Sequence, residues 1–350
     1  MSREAKPLPV SAVRALLEPY LLKARSAATG VVLAVSGGPD SMALMRIAAE
    51  LRAAGELVPV AVATVDHGLR PESRSEAETV AGWARACGFP HRILAWTGEK
   101  PRTGLQEAAR EARYGLLAGF ATEIGASHLL TAHTLDDQAE TVLMRLSRGT
   151  GVGGLAGMRP ETRRNGVTLA RPFLGLAKAQ LVAMCKAHGW PFLEDPSNLD
   201  PRFARSRWRK LMPLLAREGL TAERLAALAI RAQRIEDALD LRVSALLETA
   251  RSRPDDGAIV LDGQAISGEP DAIFLRLVLA AIGTVAGARA RATRLERLEA
   301  HVLGTLRSSL ARGASVKLNL GGALIEAAPD GRIRFSPEPP RRSAGKLTKV

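Results

Sequence analysis

The chain of 350 residues is poor in cysteine and has no long apolar run. Its two cysteines, Cys87 and Cys185, lie far apart. Without a C-x-x-C pair, the sequence excludes a zinc ribbon, a cysteine-held iron–sulfur cluster and a disulfide framework. The longest apolar stretch, residues 277–288, is too short to span a bilayer, and the N-terminus lacks the charged-then-apolar pattern of a signal peptide. We therefore expect no membrane segment and a cytoplasmic location.

Basic residues exceed acidic residues mainly in residues 201–350, called the basic half below. The net charge is +13, of which residues 1–200 carry only +3 and residues 201–350 carry +10. A hydrophobic content of 46% is that of a folded protein. Two interpretations of the basic half stay open on composition alone: contact with a polyanion, or arginine-rich helix faces in water.

Apolar runs alternate with helical patterns over the first 200 residues. The runs cover residues 31–35, 58–65, 91–96 and 128–132, and helical patterns follow them, among them 75–87, 106–123, 135–146 and 176–188. This alternation predicts βαβ units, and continuous apolar strands indicate a sheet covered on both faces. The fold class predicted is α/β, with a doubly wound, mostly parallel sheet. Residues 149–175 are glycine-rich and are expected to be loop-like.

The remainder of the chain has a different pattern. A long helix is predicted over 221–251, followed by a linker at 253–257, a small α+β unit with a hairpin at 316–325, and a Pro/Arg/Lys-rich tail. The predicted domains are therefore 1–215 (catalytic), 216–253 (helical connector), 258–336 (small α+β domain) and 337–350 (disordered basic tail).

Residues 36–41, here called the phosphate loop, join the first predicted strand to a helix. Ligands of parallel sheets bind beyond the carboxyl ends of the strands. Gly37 and Gly38 expose backbone N–H groups to an anion, the helix N-terminus adds its dipole, and Ser36 and Ser41 add hydroxyl groups. Pro39 is tolerated at a helix start. The loop therefore predicts a phosphate site.

Asp40 is the unexpected residue of the phosphate loop. A carboxylate repels phosphates unless a cation lies between them, which favours Mg²⁺ at Asp40. The structural alternative is a tight turn with Asp40 as a helix cap, but that alternative does not explain the serines on both sides.

The pattern S-G-G-x-D-S resembles the PP-loop of the N-type ATP pyrophosphatases, which cleave ATP between its α- and β-phosphates. Further blocks make the resemblance specific to the tRNA(Ile)-lysidine synthase family over residues 30–215. They are Asp66 to Arg70, Gln106 to Arg110 with Arg113 and Tyr114, His133 to Thr141, Arg148 to Gly151, Arg171-Pro172 and Asp195 to Asn198. The last third of the chain resembles the family only loosely. The fold that the resemblance implies is the adenine nucleotide alpha hydrolase-like PP-loop domain.

Three carboxylates lie close together in residues 133–141. Thr134 and Asp137 have the spacing of a helix capping box, which does not account for Asp136 and Glu140. Asp136 and Glu140 share a helix face and crowd Asp137, and a metal ion or a substrate ammonium group would relieve the repulsion. The resemblance implies catalytic roles for Asp40, Asp137, His133 and Glu140. The predicted metal ligands are Asp40, Asp136 and Asp137.

Basic and aromatic residues supply the candidates for substrate contacts. Gln106, Arg110 and Arg113 lie on one side of a predicted helix, and His67 follows the second strand, where the resemblance places the nucleotide. A further stretch surrounds two aromatic residues with arginines, a composition typical of RNA contacts. Its members are Arg202, Arg205, Arg207 and Arg209, with Phe203 and Trp208 between them; Ser206 stands where the family usually has Asn.

The resemblance implies an ATP- and Mg²⁺-dependent ligase. It would join free L-lysine to C2 of the wobble cytidine of an isoleucine tRNA with a CAU anticodon, through an adenylated intermediate, which changes the codon read from AUG to AUA. Two alternatives stay open: a PP-loop tRNA thiolase, which the absence of a cysteine pair disfavours, and a small-molecule amide ligase, which leaves the basic half unexplained. A third alternative, an RNA-binding protein that only senses ATP, is disfavoured because such a protein does not need the acidic cluster. A homodimer is one expectation for the assembly.

Overall fold

The computed structural model describes residues 6–55, 58–101, 103–194, 204–252, 254, 257–287 and 295–339. By contacts between Cα atoms, the chain divides into two units, the first comprising Met1–Gly149 and Gly154–Arg231 and the second Thr150–Gly153 and Ala232–Val350. Among the helices in the described ranges, none combines the length and the apolar character that crossing a bilayer requires. The four predicted domain boundaries stay predictions, and most of the predicted tail falls outside the described residues.

The first unit is built on a six-stranded sheet with helices on both faces. Its strands are β1 (Gly30–Ala34), β2 (Val60–Asp66), β3 (His91–Ala95), β4 (Ala126–Thr131), β5 (Glu161–Arg164) and β6 (Val167–Ala170). Its helices are α1 (Val10–Ser26), α2 (Pro39–Ala53), α3 (Ser73–Ala86), α4 (Leu105–Glu123), α5 (Leu135–Leu146), α7 (Lys178–Ala187) and α8 (Ala204–Arg217). The short helix α6 (Val152–Leu155) falls at the division between the units.

The strand order is β3-β2-β1-β4-β6-β5, in which only β5 runs antiparallel to its neighbour. This confirms the predicted doubly wound, mostly parallel sheet. From β1 the chain proceeds to β2 on one side, and β4 pairs with β1 on the other. The order of strands therefore reverses between β1 and β4, and the crevice at the carboxyl ends of these two strands is where such sheets bind ligands.

Alternate side chains of the strands form two separate apolar cores. Val31 and Leu33 pack on one face against α1, α2 and α7, whereas Val32 packs on the other face against α4, where Tyr114 and Phe120 are buried. Both faces are covered, as the continuous apolar strands predict. Burial of this kind stabilises a domain by about 25 cal/mol for each Å² of apolar surface removed from water.

One sequence prediction within this unit is wrong. Residues 149–175 were expected to be loop-like, but they contain β5 and β6, which form a hairpin across Asn165 and Gly166. Strand β6 pairs in parallel with β4 and extends the sheet. Each strand has only four residues, too short to give a clear alternation of apolar and polar positions.

The second unit holds an antiparallel sheet of order β7-β8-β11-β10-β9. The strands are β7 (Arg251–Ser252), β8 (Ile259–Asp262), β9 (Val316–Leu320), β10 (Ala323–Ala327) and β11 (Arg332–Pro337). The helical segments are α9 (Ala222–Ala250), within which the division between the units falls, α10 (Gly263–Ser267), α11 (Asp271–Ala286), α12 (Leu295–Glu299), a π-helical stretch (Ala300–Arg307) and α13 (Ser308–Ala311). Helix α11 supplies Phe274 and Leu277 to the core on the sheet. The predicted hairpin is confirmed, and its two-residue turn, Gly321 and Gly322, has φ values of 62° and 91°, which suit glycine in this class of hairpin.

Candidate active site

The phosphate loop leaves β1 at the crevice between β1 and β4. Gly37 has φ of 91°, and a Cβ atom there would lie 2.7 Å from Leu193 Cδ1. Its carbonyl oxygen accepts a hydrogen bond of 2.9 Å from the Leu193 N–H. Gly37 is thus required by the protein itself, because its backbone is left-handed and its surroundings are closed.

Gly38 differs from Gly37 in both respects. Its φ is −67°, an ordinary value, and a Cβ atom there would meet nothing closer than Ser36 Oγ at 3.9 Å. The fold therefore does not explain this glycine. The open space in front of Gly38, at the start of α2, is what a phosphate group needs to approach the backbone N–H groups.

The two serines of the loop have different surroundings. Ser41 is buried, and its Oγ accepts a hydrogen bond from the Ser36 N–H (3.1 Å) and donates one to the Gly38 carbonyl oxygen (3.0 Å). Ser36 is exposed, with its Oγ 3.4 Å from Ser41 Oγ. Ser41 therefore braces the loop, while the Ser36 hydroxyl faces the solvent side, where a ligand would lie.

Asp40 lies in the first turn of α2 and meets a residue that the sequence reasoning missed, Lys178. The Lys178 Nζ atom donates to Asp40 Oδ2 at 2.5 Å, and the Lys178 backbone N–H donates to Asp136 Oδ2 at 2.7 Å. Burial raises the pKa of Asp40, Lys178 opposes that shift, and the charges of Asp136 and Asp137 add to it. The three predicted metal ligands are thus close enough to influence one another.

Asp40 Oδ1 is buried and has no hydrogen-bond partner among the described residues. A buried carboxylate oxygen without a donor fits a site for a hard cation such as Mg²⁺. Within the described ranges, no set of three or more His, Cys, Asp or Glu side chains is arranged to enclose a metal. Asp40 can therefore serve as a ligand for a cation, whereas the predicted roles of Asp136 and Asp137 as ligands stay predictions.

Helix α5 begins with the capping box that the sequence suggested. The Thr134 N–H donates to Asp137 Oδ2 (2.9 Å), and the Asp137 N–H donates to Thr134 Oγ1 (3.4 Å). The other carboxylate oxygen, Asp137 Oδ1, lies 4.0 Å from Arg205 Nη1. Burial would raise the pKa of Asp137, but the hydrogen bond from the Thr134 N–H and the charges of Arg205 and Lys178 hold it below its ordinary value. Asp137 is therefore ionised at neutral pH and caps the helix with one oxygen.

His133 lies between the end of β4 and this helix. Its Nδ1 atom is 2.9 Å from Thr131 Oγ1, and its Nε2 atom is 3.5 Å from the Tyr114 hydroxyl. Burial lowers the pKa of His133, and nearby arginines act in the same direction. The ring is therefore neutral at pH 7, so that it adds no positive charge next to Asp137.

Glu140, one turn along α5, has its own cation. It is buried and receives hydrogen bonds from Arg209 Nε (2.8 Å) and Nη2 (3.3 Å) on α8. Burial raises the pKa of Glu140, and the pair with Arg209 opposes the shift. The apolar residues Trp208, Met212 and Leu215 of α8 pack on the same helix. Glu140 therefore fastens α8 to α5.

The predicted arginines divide between the site and the surface. Arg110 and Arg113 lie over the Tyr114 ring, at 5.0 and 5.4 Å from its centre. Burial lowers the pKa of Arg113, with Arg110 and Arg205 acting in the same direction and Asp137 opposing them. Arg113 and Arg205 thus approach Asp137 from two helices. Arg207 is exposed on α8.

Three further predicted residues need separate mention. Arg202 lies outside the described residues. The Ser206 hydroxyl is buried and has no hydrogen-bond partner among the described residues. His67 follows β2 at the same edge of the sheet, in a loop shaped by Asp66, which accepts hydrogen bonds from the Gly68 N–H (2.9 Å) and the Ser73 hydroxyl (2.6 Å).

A signal for Lys178 was present in the sequence. It is the first residue of α7, where the positive end of the helix dipole disfavours a cation. A basic residue at the start of a predicted helix indicates a partner elsewhere in the fold. Its partner, Asp40, is 138 residues away, so only the folded chain reveals the pair.

Known proteins resemble this chain in sequence and in fold. The family model of the PP-loop domain matches residues 11–215. The tRNA(Ile)-lysidine synthase of Methylobacterium nodulans is 55% identical over 344 residues, covering 98% of this chain and 100% of the relative. That of Methylobacterium sp. (strain 4-46) is 54% identical, covering 98% of each chain. The U34-tRNA thiolase NcsA of Methanococcus maripaludis, a solved structure, has a TM-score of 0.51 and 16% identity over 65% of this chain and 79% of that chain. The last likeness concerns the fold alone. The match to the PP-loop domain and the near full-length relatives place this chain in the tRNA(Ile)-lysidine synthase family.

Proposed function

We propose that this chain joins free L-lysine to C2 of the wobble cytidine of isoleucine tRNA with a CAU anticodon, and that it consumes ATP and releases AMP and pyrophosphate. The observation that carries the proposal is the meeting of the open phosphate loop with an acidic group, Asp40, Asp136 and Asp137, whose charges interact. The loop suits a nucleotide triphosphate, and the acidic group suits cations, one of which is the substrate lysine.

In the first step the cytidine O2 atom attacks the α-phosphorus of ATP. The bond from that phosphorus to the bridging oxygen breaks, and pyrophosphate leaves with the electron pair. The N–H groups at Gly38, the Ser36 hydroxyl and the dipole of α2 hold the phosphates. Mg²⁺, bound at Asp40, would screen the phosphate charge.

In the second step the lysine ε-ammonium group first loses a proton to solvent. The neutral amine then attacks C2, the C2–O2 bond breaks, and AMP leaves with O2 and the electron pair. Asp137 holds the incoming ammonium group, because its lowered pKa keeps it ionised. The neutral His133 ring lies beside Asp137 and does not repel the cation. The protein supplies orientation and charge stabilisation, which account for much of the rate in reactions of this type.

The basic residues of the chain are proposed to bind the tRNA. Arg207 and Lys210 are exposed on α8, next to the residues that hold Asp137 and Glu140. Residues 201–350 add a charge of +10. Phosphate contacts of this kind carry affinity and weaken as salt rises. A cytoplasmic location and a homodimer remain predictions.

The decisive assay supplies tRNA, ATP, Mg²⁺ and radiolabelled lysine. We expect label in isoleucine tRNA with a CAU anticodon, one AMP for each lysine incorporated, and no label in methionine tRNA. Lysine-dependent release of AMP without label in the tRNA would reject the proposal. A thiolase is disfavoured because Cys185 is buried against the Pro39 carbonyl oxygen and Cys87 has no sequence neighbour with which to form a pair.

A further inference from the structure

Lys178 connects the two acidic parts of the site. Its ammonium group binds Asp40 on α2, and its backbone N–H binds Asp136 on α5. The segment before it is also fixed to α5, because the Leu135 N–H donates to the Leu176 carbonyl oxygen at 2.9 Å. The main chain at Lys178 is therefore held in place, while its ammonium group reaches the end of the phosphate loop on four methylene groups.

Stability does not explain a lysine at this position. A cation in the first turn of a helix is unfavourable, because it lies near the positive end of the helix dipole. The side chain of Lys178 is 39% exposed and that of Asp40 is 17% exposed, and an ion pair that water reaches on one side contributes little net stability. The contact therefore brings little net stability. What distinguishes the contact is its position. The Lys178 ammonium group binds Oδ2 of the carboxylate that is expected to hold Mg²⁺, while Oδ1 of the same carboxylate has no donor among the described residues.

We propose that Lys178 moves its ammonium group from Asp40 to the β- and γ-phosphates when ATP and a divalent cation bind, and that it then stabilises the departing pyrophosphate. As the bond from the α-phosphorus breaks, negative charge builds up on the bridging oxygen and its phosphates. A lysine ammonium group is a compact, mobile charge that can follow this change by hydrogen bonding, without transferring a proton. This inference rests on the proposed function in that ATP is cleaved to AMP and pyrophosphate.

Nucleotide binding tests the inference independently of the ligation. The Lys178→Met variant removes the charge and keeps most of the side-chain volume, and Lys178→Arg is the matched control that keeps the charge. Titration calorimetry with ATP and with AMP, in the presence of Mg²⁺, compares a ligand that has β- and γ-phosphates with one that lacks them. We expect Lys178→Met to weaken ATP binding at least tenfold and AMP binding less than twofold, and Lys178→Arg to retain most of the affinity for ATP.

The outcomes separate this inference from the proposed function. Equal weakening of ATP and AMP binding, or no weakening of either, would overturn the role of Lys178, with thermal unfolding of each variant as the check on folding. Selective loss of ATP affinity in Lys178→Met would retain the role of Lys178. If the wild-type protein also transferred no lysine to tRNA, the proposed function would be rejected while the role of Lys178 would stand.

A second measurement tests the exchange at Asp40. If the ammonium group and a divalent cation compete for this carboxylate, Lys178→Met should bind Mn²⁺ more tightly than the wild type in the absence of nucleotide. Electron paramagnetic resonance of free Mn²⁺ measures the affinity, and Asp40→Asn in the same background should abolish the gain. Unchanged or weaker Mn²⁺ binding by Lys178→Met would show that Lys178 does not occupy the cation position.

Discussion

Arg209 Nε lies 2.8 Å from Glu140 Oε1, and this contact joins the basic helix α8 to the acidic helix α5. The carboxylate is buried, whereas the guanidinium retains partial access to water. The two partners are therefore not equivalent. Loss of the arginine would strand a charge in a poorly hydrated position, and loss of the carboxylate would leave a cation that water can still reach.

Arg209→Ala should lower the free energy of unfolding by about 3 kcal/mol, a cost typical of a buried charge without its partner. Glu140→Gln should cost less. Burial would then raise the pKa of Glu140 without opposition, so the penalty in Arg209→Ala is largest at neutral pH and shrinks as the pH falls and the carboxyl group becomes protonated. Urea unfolding at pH 7 and pH 5 measures both effects. An equal cost for the two variants would contradict this asymmetry.

Asp40→Ala should lower the rate of lysine incorporation by roughly 100-fold or more, because both the cation position and the partner of Lys178 are lost. Retention of tRNA should be largely intact, because the exposed arginines are unchanged. Filter binding and the labelled-lysine assay measure the two properties separately. Loss of both properties together would indicate misfolding, which circular dichroism would reveal.

The two glycines of the phosphate loop form a matched pair for mutagenesis. Gly37→Ala should impair folding, because φ of 91° and the approach to Leu193 exclude a Cβ atom. Gly38→Ala should fold normally and bind ATP roughly tenfold more weakly, because the added methyl group occupies the space of a phosphate. Thermal unfolding and ATP titration distinguish the two. Normal ATP binding by Gly38→Ala would argue against a phosphate at this position.

Three buried or half-buried histidines should contribute a rise of stability with pH between about 4 and 6.5. Burial lowers the pKa of His91 to about 4 and lowers those of His128 and His133. In this window these histidines bind more protons in the unfolded chain than in the folded one, so their protonation favours unfolding. Urea unfolding across the window should show the slope, and His91→Gln should reduce it. An identical slope in the variant would exclude His91 as a contributor.

Arg207→Ser should weaken tRNA binding and should lower the slope of log affinity against log salt by about one, as expected for the loss of one phosphate contact. Lys186→Ser, an exposed cation on α7, is the control and should leave the slope unchanged. Binding measured between about 50 and 200 mM salt tests the difference. Equal slopes for both variants and the wild type would remove Arg207 from the tRNA contact.

Local patterns predicted strands β1 to β4 and helices α2, α3, α4, α5 and α7, whereas helix α1 was not predicted. The loop 36–41 follows β1, and helix α5 covers residues 135–146, as expected. Hairpin β5–β6 was missed, because strands of four residues give too little periodicity, and the stretch containing α8 was recognised only as arginine-rich. The helix at 204–217 shows why: Arg205, Arg207 and Arg209 alternate with other residues at its start, and Pro213 lies within it, so the sequence shows no clear helical periodicity.

The sequence by itself determined the α/β architecture, the phosphate loop and the family, because these depend on periodicity and on residues that are neighbours in the chain. It also indicated that Asp40 and the carboxylates of residues 133–141 would need cations. Only the tertiary structure decided which cations meet them: Lys178 meets Asp40 and Arg209 meets Glu140, while Arg205 lies near Asp137. The physical reason is that these partners are 138, 69 and 68 positions apart, and electrostatic pairing over such separations is fixed by the packing of helices on the sheet.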